Sequence, residues 1–299
     1  MSFLPSRLAL ALALAAAPAF ALAAPVTIDT ARGPVELEQG PARVVVFDVA
    51  AIDTLDALGV APVGVPDKLY VSYLDHVKAE PVGTLFEPDL EAVAALEPDL
   101  IVIGGRSATQ YDALAQIAPV IDMTIGADTL LDDGRARIAG YGALFGQEAK
   151  AAELTAALDA EIAATRAAVA GKGNALILMT NGPKISAYGP GSRFGWLHAA
   201  LGVPAAVPDL TVSSHGEAIS FEFIRDANPD WLLVIDRSAA IGEASGGAQA
   251  TLDNALVADT TAGREGQVVY LSSGPIYIAG GGVQSLSGML EEVSAAFAK

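Results

Sequence analysis

Short apolar runs alternate with segments of helical periodicity along most of this chain. Val44-Val45-Val46-Phe47 reads as a buried strand, and the spacing of Ile52, Leu55 and Leu58 predicts a helix that closes on Gly59. Pro62 to Val65 predicts a short strand, followed by a loop and a helix carrying Tyr70, Tyr73 and His76. The pattern then copies itself. Leu90 to Arg106 and Phe221 to Arg237 are near-duplicates, in which Glu91, Pro98, Asp99 and Arg106 are answered 131 positions later by Glu222, Pro229, Asp230 and Arg237. Each copy predicts a cap at Asp89 or Ser220, a short helix starting near the Glu, a Pro-Asp turn, and an apolar strand that ends at the Arg.

The remaining segments fit around that duplicated unit. Val26 to Leu37, broken by Gly33-Pro34, predicts an edge segment, and a helix ending before Pro119 leads into the strand Val120-Ile121-Asp122. Leu130 to Ala170 is alanine-rich and free of proline, and Gln147 to Val169 predicts one continuous helix, either a strut between two lobes or a surface helix within one. The second half predicts a strand from Ala175 to Met179, a long loop from Asn181 to Arg193, a helix from Gly195 to Leu201 and a last strand from Val268 to Leu271. A Gly280-Gly281-Gly282 turn and a terminal helix follow. Strands alternating with helices predict an α/β fold with parallel sheets.

Composition sharpens the picture. At 299 residues and 52% hydrophobic content the chain has room for two domains. Arg7, the apolar run from Leu8 to Leu22 and the small residues Ala21-Leu22-Ala23 predict a cleaved secretory signal; the run is shorter than the roughly 20 residues of a spanning helix. The chain has no cysteine, which removes disulfides, thiolate metal sites and a lipidated amino-terminal cysteine, and points to a free periplasmic protein. A formal charge of −18 argues against nucleic acid and anionic membranes as partners, and makes the position of each cation informative.

Arg106 and Arg237 stand at the two duplicated strand ends, where parallel α/β sheets bind ligands, and Arg193 lies on a Gly-Pro-Gly-Ser loop before a helix. Three guanidinium forks around one cleft would suit a delocalised anion rich in oxygen acceptors. Glu91 and Glu222 begin the helices that lead into those strands, so they share the rim with the arginines; the helix dipole alone accounts for their residue type. Of three histidines, His76 and His198 read as surface or packing residues, whereas His215 lies in the polar loop Ser213-Ser214-His215-Gly216-Glu217 and is a ligand candidate. Tyr277 sits beside the triple glycine, which either lets backbone approach a bulky ligand or supplies positive φ in a turn. No G-x-S-x-G elbow or His-Glu-x-x-His is present, which weighs against a secreted hydrolase.

Taken together, these residues resemble the periplasmic substrate-binding proteins of iron-siderophore and cobalamin ABC importers, and most of all the catecholate-binding subgroup. The resemblance covers nearly all of the chain after the signal. It implies two α/β lobes with parallel-sheet cores joined by one long helix, with domains at 1–23 (signal), 24–140, 141–170 (connecting helix) and 171–299. It implies that Arg106, Arg193 and Arg237 bind an anionic ferric chelate, that His215 and Tyr277 complete the iron shell when a siderophore supplies four donors, and that Glu91 and Glu222 dock on an inner-membrane permease. Pro275-Ile276 departs from the family's more aromatic run before the tyrosine. The expected protein is a monomeric, non-catalytic periplasmic carrier with no intrinsic cofactor, taking Fe(III) as a siderophore complex. Haem, cobalamin or a hydroxamate siderophore are the alternative ligands on the same fold, although three arginines with His215 and Tyr277 exceed what a neutral chelate needs.

Overall fold

Runs of valine, isoleucine and leucine buried on both faces form the central strands of two sheets, as parallel strands covered by helices require. The computed structural model describes residues 25–127, 129–210, 213, 215–243 and 246–298; the expected signal segment lies outside them. A hairpin of β1 (Pro25–Thr30) and β2 (Gly33–Glu38) opens the described chain and turns at Gly33 with φ 103°.

The first lobe contains β3 (Val44–Val46), β4 (Gly64–Val65), β5 (Glu80–Pro81), β6 (Leu100–Ile103) and β7 (Val120–Asp122), all parallel in the order β5-β4-β3-β6-β7. In the second lobe, β8 (Ala175–Asn181), β9 (Lys184–Tyr188), β10 (Glu217–Ala218), β11 (Trp231–Asp236) and β12 (Val268–Tyr270) take the order β10-β9-β8-β11-β12. Its core, β8-β11-β12, is parallel, while β9 and β10 add an antiparallel edge.

That edge corrects the expected loop from Asn181 to Arg193. The two residues Gly182-Pro183 close a tight hairpin in which Asn181 pairs with Lys184, and Gly182 supplies the positive φ (57°) such a turn demands. The expected helix carrying Tyr70, Tyr73 and His76 is also corrected. Only one 3₁₀ turn, Ser72–Leu74, forms there, because Tyr70 takes φ 66° and the Tyr73 and His76 side chains are drawn to acidic partners on the helix Val49–Ala57.

The duplicated unit folds twice, with one correction: β11 runs up to Arg237 as read, whereas β6 stops at Ile103 and leaves Arg106 on the turn that follows. Asp89 caps the helix Leu90–Ala95, accepting from the backbone N–H of Glu91 and Ala92, and Ser220 caps Phe221–Ala227 through the N–H of Phe223. The structure also explains the shared Pro-Asp. Asp99 accepts from the N–H of Ala42 and Arg43 (2.7 and 3.0 Å), just before β3, and Asp230 accepts from Asn174 N–H (2.8 Å), just before β8. In both lobes this aspartate sets where the neighbouring strand begins.

The long helix Glu148–Val169 joins the lobes and buries Leu158, Ile162 and Val169. It packs along the terminal helix Val283–Phe297, and the Thr165 hydroxyl donates to the Leu290 carbonyl across that seam at 3.2 Å. The terminal helix in turn starts on the first lobe. Asp53, in the helix Val49–Ala57, accepts from the backbone N–H of Gln284 (2.7 Å) and Ser285 (2.9 Å), and Gly282 is needed because a Cβ there would lie 2.5 Å from the Asp53 carboxyl carbon. One apolar core consequently runs through both lobes, with a smaller cluster under the outer face of each. No helix among the described residues is long and apolar enough to cross a membrane.

Candidate functional site

The carboxyl ends of β3, β6 and β7 present Asp48, Gly105-Arg106 and Met123-Thr124 to a cavity of about 540 Å³ between the lobes. The second lobe faces them with Arg193, Ser213 and Tyr277. Tyr277 ends a short helix, Ser273–Tyr277, which leaves its carbonyl without a partner in its own turn. Two arginines fill that role. Arg106 donates from Nη2 to the Tyr277 carbonyl at 2.6 Å and from Nη1 to the Ile278 carbonyl at 3.3 Å, so it reaches from one lobe to the other. Arg193 donates to the same Tyr277 carbonyl at 2.5 Å.

Both guanidinium groups also lie over the Tyr277 ring, at 4.2 Å for Arg193 and 5.5 Å for Arg106 from its centroid. Burial, and then the like charge of Arg193, loosen the hold of Arg106 on its proton, with Asp48 acting the other way. An arginine nevertheless stays charged, so two neighbouring cations are held half-dry on one carbonyl. Beneath them Tyr188 is buried edge-on to Phe194, with ring centroids 4.7 Å apart, and burial pushes its phenol up to about 12 against the pull of Arg193.

The other predicted residues are placed less centrally. Arg237 begins the helix Arg237–Ala240 directly at the end of β11, donates to Asn181 Oδ1 at 3.4 Å, and is not among the cavity-lining residues. His215 is exposed, with its backbone N–H on the Ser213 hydroxyl; Ser213 lines the cavity and His215 does not. Residues 211, 212 and 214 of that loop lie outside the described ones. Among the described residues no three His, Asp or Glu side chains gather to hold a metal ion. Glu91 and Glu222 are exposed in the first turns of their helices, and Glu222 titrates lower than an ordinary glutamate because its own backbone N–H and the Ser220 hydroxyl favour the ionised form.

His198 packs as expected, buried with Nδ1 3.0 Å from the Val203 carbonyl, and burial lowers its proton affinity. His76 is exposed and pairs with Asp56 at 2.7 Å. Sequence reasoning missed Asp48 and Phe86. Asp48 hides behind its second job, capping the helix Val49–Ala57. Phe86 lines the cavity while 57% exposed, and only its position on a loop rather than in an apolar run hinted at that.

Comparison with known proteins adds to this geometry. The family model for periplasmic binding proteins matches residues 44–275. The petrobactin-binding protein YclQ of Bacillus subtilis is 38% identical over 264 residues, spanning 86% of this chain and 83% of that protein. Its crystal structure superposes with a TM-score of 0.87 at 35% identity, covering 92% of this chain and 99% of that one. The periplasmic catecholate-siderophore binding protein VctP of Vibrio cholerae superposes with a TM-score of 0.84 at 34% identity, covering 91% of this chain and all of that one (100%).

Proposed function

This chain belongs to the periplasmic binding protein family, and from that premise we propose that it carries a ferric siderophore of catecholate type to an inner-membrane ABC permease. The observation that carries the reading is the convergence of Arg106 and Arg193, from opposite lobes, on one carbonyl inside the interlobe cavity. Two cations concentrated there, in a chain of formal charge −18, mark a place for an anion. A carbonyl is a weak partner for a guanidinium, and a catecholate oxygen carrying charge is a stronger one. The names of the relatives support the same class of ligand: one binds petrobactin and one binds catecholate siderophores.

In this reading the lobes close on the chelate and the arginines turn from the Tyr277 carbonyl to its oxygens. Arg237, on the rim, joins them on the outer side of the ligand. Ferric iron prefers oxygen donors and accepts imidazole, so a tetradentate siderophore leaves two positions that the Tyr277 phenol and the His215 ring fill. Glu91 and Glu222, one exposed on each lobe, meet cations on the permease. The protein acts as a monomer, binds without turnover, and reaches the periplasm through the signal at 1–23 ahead of lobes at 24–140 and 171–299.

The test is a titration of the purified protein with a ferric bis-catecholate and a ferric hydroxamate, read by the fluorescence of Trp196, three residues from Arg193. Trp231, stacked on Phe297 at the far end of β11, serves as a silent background. Saturable one-to-one quenching by the catecholate, with the ligand recovered intact, supports the reading. A preference for the neutral hydroxamate chelate, or no binding, overturns it.

A further inference from the structure

Between β4 and β5 the first lobe sends a loop across to the second. With Ala239 and Gly242 this loop lines a separate cavity of about 500 Å³, and none of its residues lines the one around Arg106. Its root is fixed in its own lobe, where Asp67 and Gly83 pair twice: Asp67 N–H donates to the Gly83 carbonyl at 2.8 Å, and Gly83 N–H to Asp67 Oδ1 at 3.1 Å. Its tip rests on the other lobe. Lys68 Nζ donates to the Ile241 carbonyl at 3.3 Å, and Ile241 closes the helix Arg237–Ala240, whose last carbonyls find no partner within the helix. The same ammonium lies 4.6 Å from the centroid of the Tyr70 ring.

The second lobe makes room for this tip at two glycines. A Cβ on Gly274, in the helix Ser273–Tyr277, would lie 2.8 Å from the Tyr70 carbonyl oxygen, and one on Gly242 would lie 2.5 Å from Lys68 Nζ. Tyr70 itself takes φ 66°, a conformation that costs an aromatic residue energy and persists only where its surroundings hold it. The two receiving helices pack on each other, and one of them ends at the Tyr277 carbonyl that Arg106 holds. We propose that Asp67–Val71 is a strap that keeps the lobes together when the cleft is empty, with Lys68 as its latch. In the binding mode above Arg106 turns from that carbonyl to the ligand, so it stops tying the lobes as the ligand arrives. Lys68, outside that cavity, keeps its hold and slows escape of whatever is bound.

Spin labels at Glu87→Cys and Lys184→Cys, exposed positions on opposite lobes of a chain without cysteine, measure the interlobe distance in the full-length protein. With Lys68 in place and no ligand added, the distance distribution should be narrow. Lys68→Met keeps the aliphatic stem, loses the charged donor, and should broaden the distribution toward longer distances with an unchanged melting temperature, since the side chain is exposed. It should also speed release of a ferric bis-catecholate by about 2- to 5-fold, the scale of one exposed cation contact. A folded Lys68→Met protein with the original distances overturns the inference, and so does one whose lobes open without faster release. If the protein with Lys68 binds no chelate, the siderophore reading falls and the distances alone decide the strap.

Discussion

Asp53 offers a perturbation whose size can be worked from the structure. It is fully buried between the lobes and accepts from three donors, the Tyr73 hydroxyl at 2.6 Å and the N–H groups of Gln284 and Ser285 that open the terminal helix. Those donors favour the ionised carboxylate, but burial outweighs them and pushes its pKa from 3.8 up to about 7, with Asp56 adding to the rise. Between those values the folded protein holds a proton that the unfolded chain has released, so stability contributed by this group declines as pH rises through that window. At 1.36 kcal/mol per pH unit, the part of the window from about pH 5 to about pH 7 corresponds to about 2–3 kcal/mol. Asp53→Asn cannot titrate, so its stability relative to wild type should improve by that amount between about pH 5 and about pH 8. Urea unfolding of both proteins at several pH values across that range measures the difference, in which the titration of carboxylates that do not interact with Asp53 cancels. A stability gap that does not change with pH would refute the argument that desolvation dominates at Asp53.

Phe86→Ala should weaken binding of a ferric catecholate about 2- to 10-fold, the scale of an aromatic contact, and leave the melting temperature unchanged because the ring is already largely exposed. A parallel loss of thermal stability would show that the ring is structural. Glu91→Ala and Glu222→Ala should leave the affinity of the purified protein intact and reduce siderophore-dependent iron uptake in cells, since under the proposed docking role each removes one exposed charge that meets the permease. Loss of ligand affinity in either variant would move that glutamate into the binding site. Tyr277→Phe should change the visible absorption of a tetradentate ferric complex and leave that of a hexadentate one unaltered, because only the former has a position open to the phenol; identical spectra for both would place the ring off the metal.

Much of this fold was legible because its two halves repeat. The capped helix, Pro-Asp turn and strand were readable twice over, and the scarcity of cations drew attention to the arginines at the strand ends. Symmetry in sequence did not carry through to symmetry in space. β6 stops at Ile103, so Arg106 follows on a glycine-containing turn and swings into the cleft, whereas β11 runs on to Asp236 and Arg237 starts a helix at the rim. Arg193 and Tyr277 met through a contact that neither local sequence foretells, a carbonyl at the end of a five-residue helix. The antiparallel edge was hidden by a Gly-Pro pair that reads as loop but closes a hairpin, and Asp48 and Asp53 by local roles that conceal what lies across from them.

Under the proposed function, Arg106 and Arg193 are the anion-binding element of the cleft. The most direct measurement is the dissociation constant of a ferric bis-catecholate for wild type, Arg106→Ala and Arg193→Ala, taken by tryptophan fluorescence with folding checked by thermal melts. Each substitution should raise the constant by about 10- to 150-fold, corresponding to loss of a charged hydrogen bond worth about 1.5–3 kcal/mol. Folded variants that both bind the chelate as tightly as wild type would contradict it.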